Sequence, residues 1–318
     1  MAFETPNTDP ILDPRYGAAE AKRHFSTQLA VARDMADYGA QLLKRVFATC
    51  GRDKIEDLVV IAALFRQALV SFDACVLCLE NGAVDASNVH ARGLLETDLY
   101  LEWILTQGKE RWGRQLYVAN LRQERDWDRR VIPGTAENAI FASAWRDTIG
   151  KPFVVDPVIE AGARKQEAAI NAILEKPAYH AINTSFDKAR GTRPYEPEWY
   201  KPGPDAPRSI AHIADMLGRK AHYATLYSVF SGHVHGTRTK NGFCVDEDGM
   251  VVIEPVRSVA DISSTFSPTV AIWRGLCRRI IHHYRPDEAQ AFALKYENDW
   301  KSRLSFPEIK EATVPVVI

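Results

Sequence analysis

The sequence predicts an all-α fold: a helical bundle with one small β-hairpin near residues 242–254. Three observations lead there. Apolar residues recur at three- and four-residue intervals over most of the chain. The breaks between those runs fall on Gly, Pro or Asn-Gly. A single segment departs from the helical period, reading as two short strands around an acidic turn. With 318 residues and 46% hydrophobic content the chain can bury a sizeable core, which excludes disorder as its main state. A net charge of −1 argues against a strongly basic nucleic-acid binder and leaves room for a local basic patch.

Residues 1–17, rich in Pro, Asp, Asn and Thr, predict a flexible arm. From Ala18 to about Thr49 Phe25, Leu29, Ala32, Met35, Tyr38, Leu42 and Val46 recur at three- and four-residue intervals, and Gly51 ends the run. A second helix, about Ile55 to Glu80, is apolar on more than one face and is therefore expected at the centre. Asn81-Gly82 closes it. A third helix covers about Asp85 to Thr106, and a charged outer helix covers about Lys109 to Arg130. Two weaker helices follow within 135–176. Residues 177–207 hold six prolines and are expected to be a long loop. A helix from about Ser209 to His235 precedes the hairpin, and another covers about Val259 to His283 before Pro286. One short helix is expected within 288–304. No boundary interrupts this series, so 18–304 is expected to form one helical domain, with 305–318 as a C-terminal tail.

Five cysteines, an odd number in a large chain, fit a reducing cytoplasm better than a disulfide framework. Cys75 and Cys78 form C-x-x-C, but they lie in an apolar helical run and no second ligand pair answers them, so they read as core residues. The N-terminus lacks a signal-peptide pattern, and the apolar runs are shorter than the roughly 20 residues that span a bilayer. A cytoplasmic location with no membrane association is expected.

Polar residues stand where core helices usually carry Leu or Ile. The third helix places Asn88, Arg92 and Glu96 at four-residue intervals. The helix before the hairpin does the same with Tyr223, Tyr227, Ser231 and His235. If the two ladders meet inside the bundle, they make a buried Arg/Glu/His site whose histidine is tuned for proton transfer. Arg92–Glu96 is equally the spacing of an exposed helix pair, which carries no chemistry. His233 and His235 point about 200° apart on a helix and do not readily share a metal. No cofactor and no metal are expected.

Two stretches resemble motifs of an uncharacterised prokaryotic helical family, a domain of unknown function. Residues 88–96 resemble R-x-L-L-E, and residues 227–236 resemble Y-x-x-x-S-x-x-V-H-G. Glu198-Trp199-Tyr200 and the acidic-turn hairpin complete the resemblance, which covers roughly 50–285. That family implies an architecture and a candidate site but no reaction. A more distant likeness is to HEPN domains, helical bundles that often dimerise and frequently act as metal-independent ribonucleases in defence or toxin systems. Their signature is an arginine separated from a histidine by four to six residues. Here Ser228, Val229 and Phe230 occupy the arginine positions before His235, which leaves Arg92 to supply the guanidinium from the neighbouring helix. A literal R-x4-H exists at Arg278 and His283, where it reads more simply as the basic end of a helix.

The chain contains no phosphate-binding glycine loop, no dinucleotide fingerprint, no nucleophile elbow and no H-E-x-x-H. Two alternatives stay open. One is an RNA- or nucleotide-directed enzyme, perhaps homodimeric by likeness to HEPN domains, using His235, Arg92, Glu96, Tyr227 and Ser231. The other is a non-enzymatic helical module that binds a ligand or partner, with the same polar residues serving as structure.

Overall fold

A computed structural model describes residues 12–49, 56–193, 195–234, 242–245, 251–253 and 255–306. The fold is all-α, as the helical periodicity requires. The described residues fall into two compact units. The first draws on the described residues within 1–54, 61–105 and 210–318, the second on those within 55–60 and 106–209.

The first unit is built on α1 (Pro14–Thr49), α2 (Ala62–Glu80, entered through a π-helical turn at Glu56–Ile61), α3 (Val84–Gln107) and, later in the chain, α11 (Ile262–Tyr284). Helix α1 begins at Pro14, inside the segment expected as an arm. The Asp13 carboxylate accepts from the backbone N–H groups of Arg15 and Tyr16 at 2.9 and 3.0 Å, and proline is suited to a first helical position. Of its predicted seam, Phe25, Leu29, Ala32, Met35, Leu42 and Val46 are buried and Tyr38 is partly buried.

Trp273 of α11 fills the centre of this unit. Its ring stacks on Phe65 and Phe72 of α2 with centroids 5.5 and 4.9 Å away, and its indole N–H donates to the Met35 carbonyl at 3.0 Å. The indole therefore buries its large apolar surface without stranding its one polar group. Val59–Glu80 is the one stretch among the described residues long and apolar enough to cross a membrane, with a mean hydropathy of 1.8, and half of it is buried. In α2 one apolar face packs on α1 and α11 while Val70 and Leu77 stay exposed, and Asp73 and Glu80 hold Arg33 of α1 by salt bridges.

Cys75 is buried, with Sγ 3.7 Å from the Thr269 hydroxyl, and burial pushes its thiol up to about 12. Cys78 is half-buried, and its thiol is likewise raised by burial. C-x-x-C thus supplies small packing residues, and no cluster of His, Cys, Asp or Glu fit to hold a metal occurs among the described residues.

The continuous helix expected over 209–235 is broken. It becomes α8 (Ile210–Met216), α9 (Lys220–His222), a π-helical turn at Tyr223–Tyr227 and α10 (Ser228–Val234). The break falls at Gly218, whose φ of +69° belongs to the left-handed region that glycine adopts without a Cβ penalty. Beyond α10, β1 (Phe243–Val245) and β2 (Val251–Ile253) pair antiparallel with Phe243 opposite Ile253. The acidic turn at 246–250 lies outside the described residues. Helix α12 (Ala289–Lys295) follows α11.

The second unit contains α4 (Lys109–Arg129), α5 (Ala136–Ile149), α6 (Pro157–Leu174) and α7 (Pro177–Arg190). Its core is Val118 and Leu121 of α4 against Ile170, Leu174, Tyr179 and Phe186. Helix α7 corrects the expectation of a loop over 177–207: Pro177 starts a helix rather than breaking one, because the first helical residue needs no N–H donor. The rest of that stretch is pinned to α4. The Gln115 amide donates to the carbonyls of Trp199 and Pro202 at 2.8 and 3.0 Å. Arg122 of α4, fully buried, grips Glu196 through two parallel hydrogen bonds of 2.8 and 2.9 Å and also pairs with Asp187. This bidentate geometry is what makes a buried guanidinium tolerable.

Gly39 faces the Trp273 ring so closely that an added Cβ would lie 2.2 Å from a ring carbon. Gly39→Ala should therefore lower stability by about 1–3 kcal/mol, although alanine is favoured over glycine in a helix by about 1 kcal/mol. Urea unfolding checks this: an unchanged or raised midpoint would mean that the indole yields freely.

Candidate functional site

Helix α3 carries the polar ladder along one face, and the structure divides its members between two neighbours. Asn88, near the start of the helix, is buried and accepts from the Thr265 hydroxyl of α11 at 2.9 Å. It belongs to the packing of α3 on α11. One turn later Arg92 reaches the other polar ladder instead. Its Nε donates to Glu96 Oε1 at 2.9 Å, its Nη2 to the Tyr227 hydroxyl at 2.7 Å, and its Nη1 approaches Ser231 Oγ at 3.5 Å. The guanidinium carbon also sits 4.7 Å from the Tyr227 ring centroid, within cation–π range. Tyr223 stacks on Tyr227 with centroids 4.5 Å apart and planes at 22°.

Four of the five expected site residues thus come together: Arg92, Glu96, Tyr227 and Ser231. The fifth, His235, follows α10 directly and lies outside the described residues, as does the His233 side chain. The expectation that the Arg–Glu pair is buried is corrected. The Arg92 and Glu96 side chains are 18% and 28% exposed, so the pair opens to solvent at one edge. The partner helix there is short and interrupted, which leaves it too little surface to seal the pair. Arg278 and His283, the literal R-x4-H, are both exposed on the closing turns of α11.

The charges of this site shape one another. Burial opposes the positive charge on Arg92, but Glu96 outweighs it and keeps the guanidinium firmly protonated. Burial and the adjoining Tyr227 raise the Tyr223 hydroxyl above its ordinary value. The cluster therefore presents a fixed cation against a stacked aromatic pair, with Glu96 holding one side of the guanidinium.

Sequence reasoning missed Asp98 and Glu102. In the structure they anchor a second network. Asp98 is sealed from solvent, with a side-chain exposure of 1%, and both its oxygens are held by arginines. Arg219, just after Gly218, donates through one nitrogen to Asp98 Oδ2 at 2.6 Å and to Glu102 Oε2 at 2.7 Å. Arg279 of α11 bonds Asp98 Oδ1 and reaches Glu102 at 2.8 Å. Burial pushes the Asp98 carboxyl up, while Arg279 and Arg219 pull it down. The one local clue was the four-residue spacing of Asp98 and Glu102; Arg219 and Arg279 are 60 positions apart, and no spacing links them.

The chain belongs to a family of unknown function (DUF5677), which spans residues 58–250. No curated protein and no solved structure matches it.

The two networks should respond differently to truncation. Asp98→Ala leaves Arg219 and Arg279 partly buried with only Glu102 to share, and should cost about 3 kcal/mol. Arg92→Ala leaves Glu96 free to hydrate and should cost about 1 kcal/mol. Chemical unfolding of both variants measures the difference, and equal losses would show that Glu96 is as dependent on its partner as Asp98.

Tyr223 also predicts a pH dependence. Its folded pKa is raised above the unfolded value of about 10, so the folded state keeps a proton that the unfolded chain gives up. That contribution is complete below about pH 10 and is lost as the pH rises further. Stability should fall between about pH 10 and 11, and Tyr223→Phe should reduce the fall, read from urea midpoints at each pH.

Proposed function

We propose that this chain is a HEPN-like protein acting on a phosphodiester, with RNA or a nucleotide as its substrate class. The observation that carries this reading is the Arg92 guanidinium: clamped by Glu96 and Tyr227, seated on an aromatic pair, and open to solvent along one edge. A cation fixed in this way suits the spread charge of a phosphate far better than a mobile surface lysine does.

Ser231 stands four residues ahead of His235. Its hydroxyl oxygen lies 3.5 Å from Arg92 Nη1. In the proposed reaction the 2′-hydroxyl of the substrate attacks the adjacent phosphorus. His235 takes the hydroxyl proton, the bond to the 5′-oxygen breaks, and a proton returns to that oxygen. The products are a 2′,3′-cyclic phosphate and a free 5′-hydroxyl. Arg92 stabilises the charge that builds on the phosphoryl oxygens. Glu96 and Tyr227 hold the guanidinium in place, and Ser231 supplies a further polar contact. The reaction requires no metal. The cytoplasm of a prokaryote, in a defence or toxin setting, is the context that the HEPN likeness suggests.

A second reading also has an observation behind it. Each nitrogen of the Arg92 guanidinium already has a neighbour within the protein, which is what a structural pin between α3 and the Tyr223–Ser231 stretch would need. In that case the chain is a non-enzymatic binding module.

Cleavage assays separate the two. Purified protein should cut single-stranded RNA in the presence of excess EDTA and leave cyclic phosphate ends. Arg92→Ala and His235→Ala should each lower the rate at least 100-fold while the melting temperature of His235→Ala stays within about 2 °C of the parent. Identical RNA profiles for the parent and both variants would overturn the catalytic reading.

A further inference from the structure

Helix α5 has no buried residue along its 14 residues, yet its start is tied firmly to the rest of the second unit. The Thr135 hydroxyl caps it, accepting from the Asn138 N–H at 3.1 Å. Asn138 Nδ2 donates to the Arg130 carbonyl at 2.8 Å, and Glu137 pairs with Arg190 of α7 at 3.4 Å. Past these polar ties one face of the helix meets open space. A cavity of about 480 Å³ is lined by Ile140, Phe141 and Ala144 of α5 and by Arg130, Arg190 and Arg193. Well-packed interiors leave few voids larger than a water molecule, whereas small-molecule sites span about 300–1,000 Å³.

Both kinds of lining are held in place. Phe141 is braced by Phe153 and Trp145, with centroids 4.9 and 6.2 Å away, and neither of those rings lines the cavity. The Arg130 guanidinium sits over the Trp127 ring, 3.9 Å from its centroid. Stacking on a ring face fixes a guanidinium without consuming its N–H donors.

Charge selects the occupant. The lining carries three cations, Arg130, Arg190 and Arg193, and two anions, Asp126 and Glu137, a net charge of +1. Both anions pair with Arg190, at 3.3 and 3.4 Å. Glu196, which also holds Arg190, is matched by Arg122. Arg130 and Arg193 have no carboxylate within ion-pair distance among the described residues.

We propose that this cavity binds a small organic anion with an apolar body. Its carboxylate or phosphate head is held by Arg130 and Arg193, and its body lies against Ile140, Phe141 and Ala144. Paired N–H donors suit both head groups. The occupant supplies the burial that α5 lacks. A helix this short is marginal in water without such packing, so binding steadies it. The site lies within the second unit and shares no residue with the Arg92 cluster.

Isothermal titration calorimetry of the full chain tests this with probes of one body type: 4-phenylbutyrate, phenyl phosphate, the neutral 4-phenylbutanamide and the cationic 4-phenylbutylamine. At least one of the two anions should bind about tenfold or more tighter than the amide, and the amine should bind weakest. The tighter anion identifies the head group. Arg130→Met, which keeps an apolar stem over Trp127, and Arg193→Met should each weaken that anion about tenfold or more. Ala144→Phe, at an exposed helical position, should fill the apolar wall and abolish binding, with helical content by circular dichroism unchanged. Hydrogen exchange of the 138–149 amides should slow when the tighter anion is added. The assignment is overturned if neither anion binds at millimolar concentration, or if the amide or amine binds as tightly as the anions. It is equally overturned if both arginine variants bind like the parent, or if the anion binds and leaves exchange in α5 unchanged.

Discussion

The first unit depends on how it accommodates one carboxylate that water does not reach. Asp98 sits on α3 among apolar neighbours, where an unpaired negative charge would be ruinous. Arg219 and Arg279 both converge on it, and Glu102 shares them, so two anions balance two cations at short range. The arrangement ties three separate stretches at one point: the middle of α3, the turn after α8, and the last third of α11. A greasy contact would tolerate sliding between them. A set of charge-assisted hydrogen bonds to a buried anion does not, because displacement by even a fraction of a hydrogen-bond length leaves charge uncompensated.

That constraint bears on the candidate site. Arg219 opens the stretch that carries Tyr223, Tyr227 and Ser231, and it is fixed to the same helix that presents Arg92 and Glu96. The clasp therefore sets the spacing between the two halves of the Arg92 cluster from a few residues away. The cluster itself is more open. Its guanidinium and carboxylate are partly open to solvent, whereas in the Asp98 network the central carboxylate is sealed and only its partners reach the surface. Both join arginine to a carboxylate of α3, and what separates them is the burial of Asp98.

The second unit follows the same logic with a different outcome. Arg122 is as deeply buried as Asp98, and Glu196 meets it with the planar two-bond geometry that guanidinium favours. This contact, with Gln115 on the backbone of Trp199 and Pro202, gives a proline-rich connection a defined path without regular structure. Around α5 no such closure occurs, and apolar surface is left facing outward.

The amino-acid sequence by itself determined the helical class, most of the seam of α1 and the structural role of Cys75. Each follows from local periodicity or from the cost of exposing apolar surface. It also marked Arg92, Glu96, Tyr227 and Ser231, because polar groups repeating on an otherwise apolar helix face stand out without knowledge of the fold. Only the tertiary structure decided which polar groups are sealed. Nothing in the spacing marked Asp98 and Glu102 as a buried network, since the arginines that hold them come from a turn and a helix far along the chain. The break at Gly218 and the helix begun by Pro177 were decided there too, because glycine and proline each permit several local structures and long-range packing selects one. Burial and pairing are properties of what the chain brings near a residue, and spacing along the chain does not encode them.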